Sequence, residues 1–339
     1  MSVGTFDTAL DPELSQGAYN AVNVCLKVRS EEKVTLITDA ASRDIAASLA
    51  HELESVGAPF RVWELEALAP RPLQATPPEI LEDLETSQVS IFAVCPQPHE
   101  LGSRKQITDV AIRRKIRHAH MVNITRQIMM EGMRADFREV DDISKKVLAA
   151  ASAAETICVK SAAGTDFTAR FNPNYRWLKT SGIISPETWG NLPGGEVFTA
   201  PERVDGTFVV DGVVGDFLCA KFGDLHDRPL TIRLKNNRLT EAHSENRELE
   251  NDFWNYTHSD ENSNRVGEFA IGTNVRVRQV IGNILQDEKI PGVHIAFGDP
   301  LGAYTGADWT CTTHIDVVGT DLDVFVGERQ LMSRGEFRL

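Results

Sequence analysis

With 339 residues, 42% of them apolar and 25% charged, the chain is long enough for about two domains with buried cores and ordinary in composition for a soluble globular protein. Its formal net charge of −14 speaks against a nucleic-acid or anionic-membrane surface, since those need clustered Lys and Arg. No apolar run reaches the roughly 18 residues of a membrane span, and MSVGTFDTALDPEL lacks a basic and then apolar leader, so a cytoplasmic protein is expected.

In chain order, VTLIT (34–38) is a short β-rich run, and ASRDIAASLAHELESVG carries apolar residues at helical spacing up to a capping Gly57. FRVWEL (60–65) is the next strand, and a Pro-rich connection leads to a short acidic helix. VSIFAV (89–94), a helix over 104–118 and HMVNIT (120–125) repeat the strand-helix-strand rhythm. The basic run RRKIRHAH reads as one face of that helix. Alternation of this kind predicts an α/β N-terminal domain with a mostly parallel sheet flanked by helices, over residues 1–155. A helix over 137–153 leads out of it.

From Thr156 the rhythm changes. TICVKSAAGTDFTARF reads as two strands around a Gly turn, GTFVVDGVVG and LTIRLKNNRLTEA as further hairpins, and helices are expected only over 244–255 and 274–286. Residues 156–339 are therefore expected to form an α+β domain rich in antiparallel strands.

Several chemistries find no support. TDAASRD follows VTLIT where a dinucleotide site would need G-x-G-x-x-G, and neither a P-loop nor a G-x-S-x-G elbow is present. The five cysteines (Cys25, Cys95, Cys158, Cys219, Cys311) are scattered without a C-x-x-C pair, so neither a disulfide framework nor a zinc knuckle is expected, and they read as small buried residues.

The second half instead carries potential metal ligands at strand ends and Gly turns: Glu196 in PGGEVFTAP, Glu268 in RVGEFAIGTN, His294 in PGVHIAFGDP, and His314 with Asp316 in TTHIDVV. On a strand, residues i and i+2 share a face, so the H-x-D imidazole and carboxylate can serve one ion or adjacent ions. Imidazole and carboxylate without thiolate suit zinc, cobalt or manganese. Five ligands exceed the three of a mononuclear catalytic zinc, which points to two divalent ions sharing a carboxylate. Each residue alone has a plainer reading: Glu196 as a turn residue, His294 as a hydrogen-bonded core histidine, Glu268 as an unremarkable carboxylate between Gly267 and Phe269. Their joint occurrence is what points to a metal site. Gly194 and Gly195 would let the backbone turn and aim Glu196 inward.

In that order, PGGEVFTAP, GEFAIGTN, HIAFGDP and THIDVV resemble the metal-binding motifs of the aminopeptidase T and AmpS family of metallopeptidases, and KSAAGTDFTARF fits its strand-turn-strand. The resemblance is carried by the second half of the chain. It implies a homodimeric enzyme that removes N-terminal residues from peptides, or cleaves a related amide, with two divalent ions held by Glu196, Glu268, His294, His314 and Asp316, Glu268 bridging. It also implies a tyrosine beside the first metal histidine, for which Tyr304 is the candidate, although the chain is shorter than the family pattern between His294 and His314. None of these residues is assigned as the general base.

A related branch, the 2,5-dihydroxypyridine dioxygenases, binds one iron(II) and resembles this chain around THIDVV. That branch has His at the position of Glu268 and no carboxylate at that of Glu196, so the two glutamates here favour the dinuclear hydrolase. A degenerate, non-catalytic binding protein is a third reading, against which the intact ligands argue. For substrate binding, whether peptide or small molecule, His99 follows the VSIFAV strand at the end where open α/β sheets bind ligands, and Arg265 and Trp309 flank the metal motifs.

Overall fold

The computed structural model describes residues 10–187 and 190–339; the stretch MSVGTFDTA, read above for a leader, lies outside them. Two compact units result: Met1–Arg138 with Gly182–Gly194, and Glu139–Ser181 with Gly195–Leu339. The division falls at Arg138/Glu139 rather than near residue 155. The helix Phe137–Ser152 places Val147 and Ala151 in the core of the second unit, which draws the boundary forward.

In the first unit a five-stranded sheet runs in the order Phe60–Glu64, Val34–Thr38, Val89–Val94, Arg117–Val122, Gly190–Asn191, and every neighbouring pair is parallel. Val34–Thr38 and Val89–Val94 are buried along their whole length, as strands covered on both faces must be. The helix Arg43–Val56 follows the first strand. Asp39 receives the Ser42 amide ahead of it, and Gly57 ends it at φ 76°, a left-handed turn that glycine adopts without a Cβ clash. The next helix is Leu101–Arg114, and RHAH is not on it: Lys115 caps the helix at φ 54°, and Arg117–Val122 is already strand. The strand therefore begins three residues ahead of the HMVNIT reading and stops before Asn123, itself left-handed at φ 59°.

The second unit is built from two antiparallel sheets. Eight strands include the hairpin Thr156–Lys160/Asp166–Arg170 and the hairpin Leu230–Lys235/Arg238–His243. In the latter, Asn236 and Asn237 take positive φ of 52° and 64°, the conformation that a two-residue hairpin turn demands. Five further strands run in the order His314–Gly319, Val293–Gly298, Val266–Gly272, Glu196–Thr199, Leu178–Thr180. Phe167, Phe208 and Ile232 from the first sheet and Phe269, Ile295 and Val317 from the second share one apolar core. The helix Arg247–Tyr256 lies near its expected place. Most of the expected 274–286 helix, however, is loop, and only the single turn Ile284–Asp287 forms. Asp287 accounts for this, because its carboxylate accepts the Ile281 and Asn283 amides and ties the loop into a closed bend.

All five cysteines are free. Cys25 and Cys219 are buried as expected, but Cys95 is exposed and Cys158 and Cys311 are half-buried. Among the described residues no helix is long and apolar enough to cross a membrane.

Candidate metal centre

The period of two along a strand decides which side chains meet. In the five-stranded sheet Val197, Phe269, Ile271, Val293, Ile295, Phe297, Ile315 and Val317 point into the shared core. The alternate positions Glu196, Glu268, His294, His314 and Asp316 therefore stand on the opposite face. Register brings them together. Ala296 is paired with Glu268 on one side and with Asp316 on the other, Ala270 with His294, and Gly298 with His314. These small partners leave the space above the sheet to the ligating groups.

Glu196 opens its strand, between Gly272 and Thr180 on the neighbouring strands, directly behind Gly195, whose φ is 134°. A Cβ there would lie 2.8 Å from the Asn274 amide nitrogen, so the approach of the two backbones needs glycine as well as the turn.

The resulting cluster is tight. His294 Nε2 lies 3.6 Å from Glu196 Oε2 and 3.6 Å from Glu268 Oε1. His314 Nε2 lies 3.6 Å from Glu268 Oε2 and 3.5 Å from Asp316 Oδ1. Glu268 thus faces both imidazoles, one with each oxygen. Three sets of ligand atoms lie within 4.8 Å of one another: Glu196, Glu268 and His294; Glu268, His314 and Asp316; and Glu288, His294 and Asp316. His314 Nδ1 stands 3.0 Å from the Asp299 carbonyl oxygen. A carbonyl only accepts, so Nδ1 carries the proton and Nε2 is the atom turned to the carboxylates, the orientation expected of a metal-binding histidine.

Burial and charge set the protonation of the group. Burial disfavours a charged His294 ring, but the carboxylates of Glu268, Glu196 and Asp316 prevail and push it up to about 9. In His314 burial is likewise outweighed by Asp316 and Glu268, and the ring is raised to about 10. For Asp316 burial is overcome by His314, which holds the carboxyl down at about 2. Burial pushes Glu288 up to about 8, with Lys289 opposing and Glu196 and Asp316 reinforcing. Protonated imidazoles therefore balance the crowded carboxylates in the metal-free chain. A divalent ion would replace those protons with positive charge matched to the same donors, and oxygen and nitrogen donors without thiolate fit zinc, cobalt, manganese or iron(II).

Glu288 and Lys289 are not legible from sequence, since QDEKIPG reads as a solvated charged turn. Lys289 is fully buried, with its ammonium 2.7 Å from Glu196 Oε2 and 2.5 Å from Glu288 Oε1. Thr180 donates its hydroxyl to Glu196 Oε1 at 2.7 Å.

The remaining candidates fall elsewhere. Tyr304 lies in the single turn Gly302–Thr305, 42% exposed. Among the described residues no hydrogen bond or ion pair joins its phenol to the five ligands, and its backbone carbonyl is taken by Arg176. Another tyrosine bears on the ligand strands: burial pushes the Tyr256 phenol up, and the His314 backbone opposes that shift. Arg265 and Trp309 stack on each other, the guanidinium 3.5 Å from the ring centroid, while the Trp309 indole donates to the Gly298 carbonyl. His99 belongs to the other unit, exposed in the loop after Val89–Val94 at φ 76°.

Fold and site together define a class: α/β proteins with a clustered set of carboxylates and imidazoles of the kind that could hold divalent metal. Residues 117–308 match the model of the thermophilic metalloprotease (M29) family. This is more than half of the 339 residues, and the chain belongs to that family of metallopeptidases. The matched segment contains Glu196, Glu268 and His294, while His314 and Asp316 lie beyond it. No curated protein matches the chain. Among solved structures it is similar to 2,5-dihydroxypyridine dioxygenase from Pseudomonas putida KT2440, at 14% identity and a TM-score of 0.73, covering 96% of each chain. It is also similar to wild-type AmpT from Thermus thermophilus, at 18% identity and a TM-score of 0.71, covering 98% of this chain and 100% of that one. At such identities the likeness is one of fold, and activity has to be argued from the site.

Proposed function

We propose that the chain is a metal-dependent aminopeptidase that removes N-terminal residues from peptides or cleaves a related amide, with Glu196, Glu268, His294, His314 and Asp316 as its metal ligands. The observation that carries this reading is Glu268, which turns one oxygen to each of two imidazoles at 3.6 Å and so offers two adjacent positions with a shared carboxylate. When bound, divalent metal would lower the pKa of a water toward neutrality and polarise the scissile carbonyl. The chain's own residues do the rest. The Asp299 carbonyl fixes the His314 ring, and Thr180 and Lys289 hold Glu196. Glu288 is the carboxyl of the cluster outside the five, and its place beside His294 and Asp316 suits it to carry a proton to the leaving amine. Arg265 and Trp309 are candidate substrate contacts. A homodimer in the cytoplasm completes the proposal.

The fold shared with the dioxygenase from Pseudomonas putida supports a second reading, one iron(II) at Glu268, His314 and Asp316. The donors weigh against it, because two carboxylates and one imidazole reverse the two-histidine, one-carboxylate set of such oxygenases. The test is to strip the full chain with chelator, reload it with zinc, cobalt, manganese or iron(II), and follow release of free amino acid from unblocked and N-acetylated dipeptides. Cleavage of unblocked peptide alone, lost with chelator and restored by metal, is expected. Oxygen uptake on 2,5-dihydroxypyridine with iron(II) would favour the second reading, and neither activity would favour a non-catalytic binding protein.

A further inference from the structure

The two positions that share Glu268 are not equivalent, and the difference lies in Lys289. Its side chain is 1% exposed, and its ammonium is within ion-pair distance of Glu196 Oε2 at 2.7 Å and Glu288 Oε1 at 2.5 Å. The same Oε2 is the Glu196 atom facing His294, that is, the oxygen a metal on that side would need. The other oxygen, Oε1, already accepts from Thr180 at 2.7 Å. Both Glu196 oxygens are therefore satisfied by the protein itself. On the opposite side, Glu268 and Asp316 have imidazoles alone as ion-pair partners among the described residues. There the His314 ring is already turned with Nε2 toward them by the Asp299 carbonyl.

Lys289 is held in place from the backbone outward. Its amide donates to the Gln286 carbonyl at 2.8 Å, and its carbonyl accepts the Asn274 amide at 3.0 Å. Asn274 also abuts Gly195, the residue behind Glu196. Ammonium and carboxylate are thus presented to each other by neighbouring backbone, and the bend closed by Asp287 fixes the chain on which Lys289 sits.

Resting on the metal-centre reading of these residues, we infer that Lys289 serves as a built-in cation on the Glu196 side. One divalent ion is then held tightly by Glu268, His314 and Asp316, and a second, between Glu196 and His294, binds only in competition with the Lys289 ammonium. A cation already paired with a ligand oxygen must be displaced or shifted toward Glu288 before that oxygen is free, which weakens the second ion more than the first, whose ligand Asp316 feels Lys289 only through space. Groups around a metal centre typically change its affinity by about 10- to 100-fold, and that is the gap expected between the two steps.

The experiment is an equilibrium titration of the chelator-stripped full chain with zinc, in competition with a chromophoric chelator, and with cobalt(II) followed by its visible spectrum. Wild type should bind in two steps separated by about tenfold or more, or in one step alone. In Lys289→Met the weaker step should tighten by about tenfold or appear where it was missing, while the tighter step changes by less than about threefold. Lys289→Gln, which keeps a hydrogen-bonding head in the buried place, should do the same and stands in if the Met variant does not fold. Two equal steps in wild type, or a weaker step left unchanged or lost in the folded variants, would overturn the inference. Peptide cleavage with equal steps would contradict the role of Lys289 alone. Unequal steps without cleavage would contradict the aminopeptidase reading alone.

Discussion

Glu268→Gln removes the group on which both proposed metal positions depend while keeping the shape of the side chain. In the metal-free chain each imidazole stands 3.6 Å from the Glu268 carboxylate. At an effective dielectric constant of about 20, opposite unit charges at that separation attract by about 4 to 5 kcal/mol. A divalent ion gains at least as much from the same carboxylate before the cost of stripping its water is counted. Loss of a mere supporting partner already weakens metal binding by about 10- to 100-fold, so loss of the shared ligand should cost at least about 100-fold, or roughly 2.7 kcal/mol. Affinity is read by chelator competition, and turnover on an amino-acid anilide should fall by the same factor or more. Because the buried carboxylate also pairs with two protonated imidazoles, the metal-free variant should melt lower than wild type, and affinity is compared at a temperature where both are folded. A folded Glu268→Gln protein that binds zinc within about threefold of wild type, or turns over normally once reloaded, would refute the placement of Glu268 at the centre.

Two further perturbations test the scaffold. Phe269 is wholly buried on the core side of the strand that carries Glu268, against Phe171, Trp177 and Phe167 at centroid distances of 5.3, 6.2 and 6.4 Å. Phe269→Ala should lower stability by about 3 to 5 kcal/mol in urea unfolding and weaken metal binding through its neighbour, whereas a loss below about 1 kcal/mol would show that this core does not support the ligand strand. In the first unit, burial pushes His118 down to about 4 from its ordinary 6.5 while its ring pairs with Ser90 and His120. With the folded value depressed, the unfolded chain takes up the proton first, so stability is full above pH 6.5 and is lost as pH falls toward 4. Each pH unit crossed in that window removes about 1.4 kcal/mol, for a total of about 3 kcal/mol. Urea midpoints of wild type and His118→Gln across that range should converge as pH falls; parallel curves would contradict the buried neutral ring.

The parts of the site that follow from alternation along a strand were legible in the sequence. H-x-D places His314 and Asp316 on one face by geometry alone, and the apolar alternates of GEFAIGTN and VHIAFG mark which face is core, so Glu268 and His294 must stand on the other. Legible too were VTLIT and VSIFAV, because a strand covered on both sides reads as a nearly unbroken run of apolar and small residues. What pattern could not convey was which distant strands pair and with what register, and it is register that sets Ala296 between Glu268 and Asp316. Glu288 and Lys289 escaped for a related reason. Their neighbourhood is polar and turn-like, and only the bend closed by Asp287 carries it under the sheet face. That bend also replaced most of the helix expected over 274–286, where local periodicity yielded to side-chain to backbone hydrogen bonds. Tyr304 was placed by resemblance, and the single turn Gly302–Thr305 that carries it leaves its ring exposed, while Tyr256 arrives from a helix with no metal motif of its own.

The most direct test of the centre is diffraction from crystals of the zinc-loaded chain, measured on both sides of the zinc absorption edge. An anomalous peak is expected within bonding distance, about 2.0 to 2.2 Å, of Glu268 together with His314 and Asp316, and any second, weaker peak on the side of Glu196 and His294. Zinc bound elsewhere, with the Glu268 carboxylate left uncoordinated, would contradict that placement.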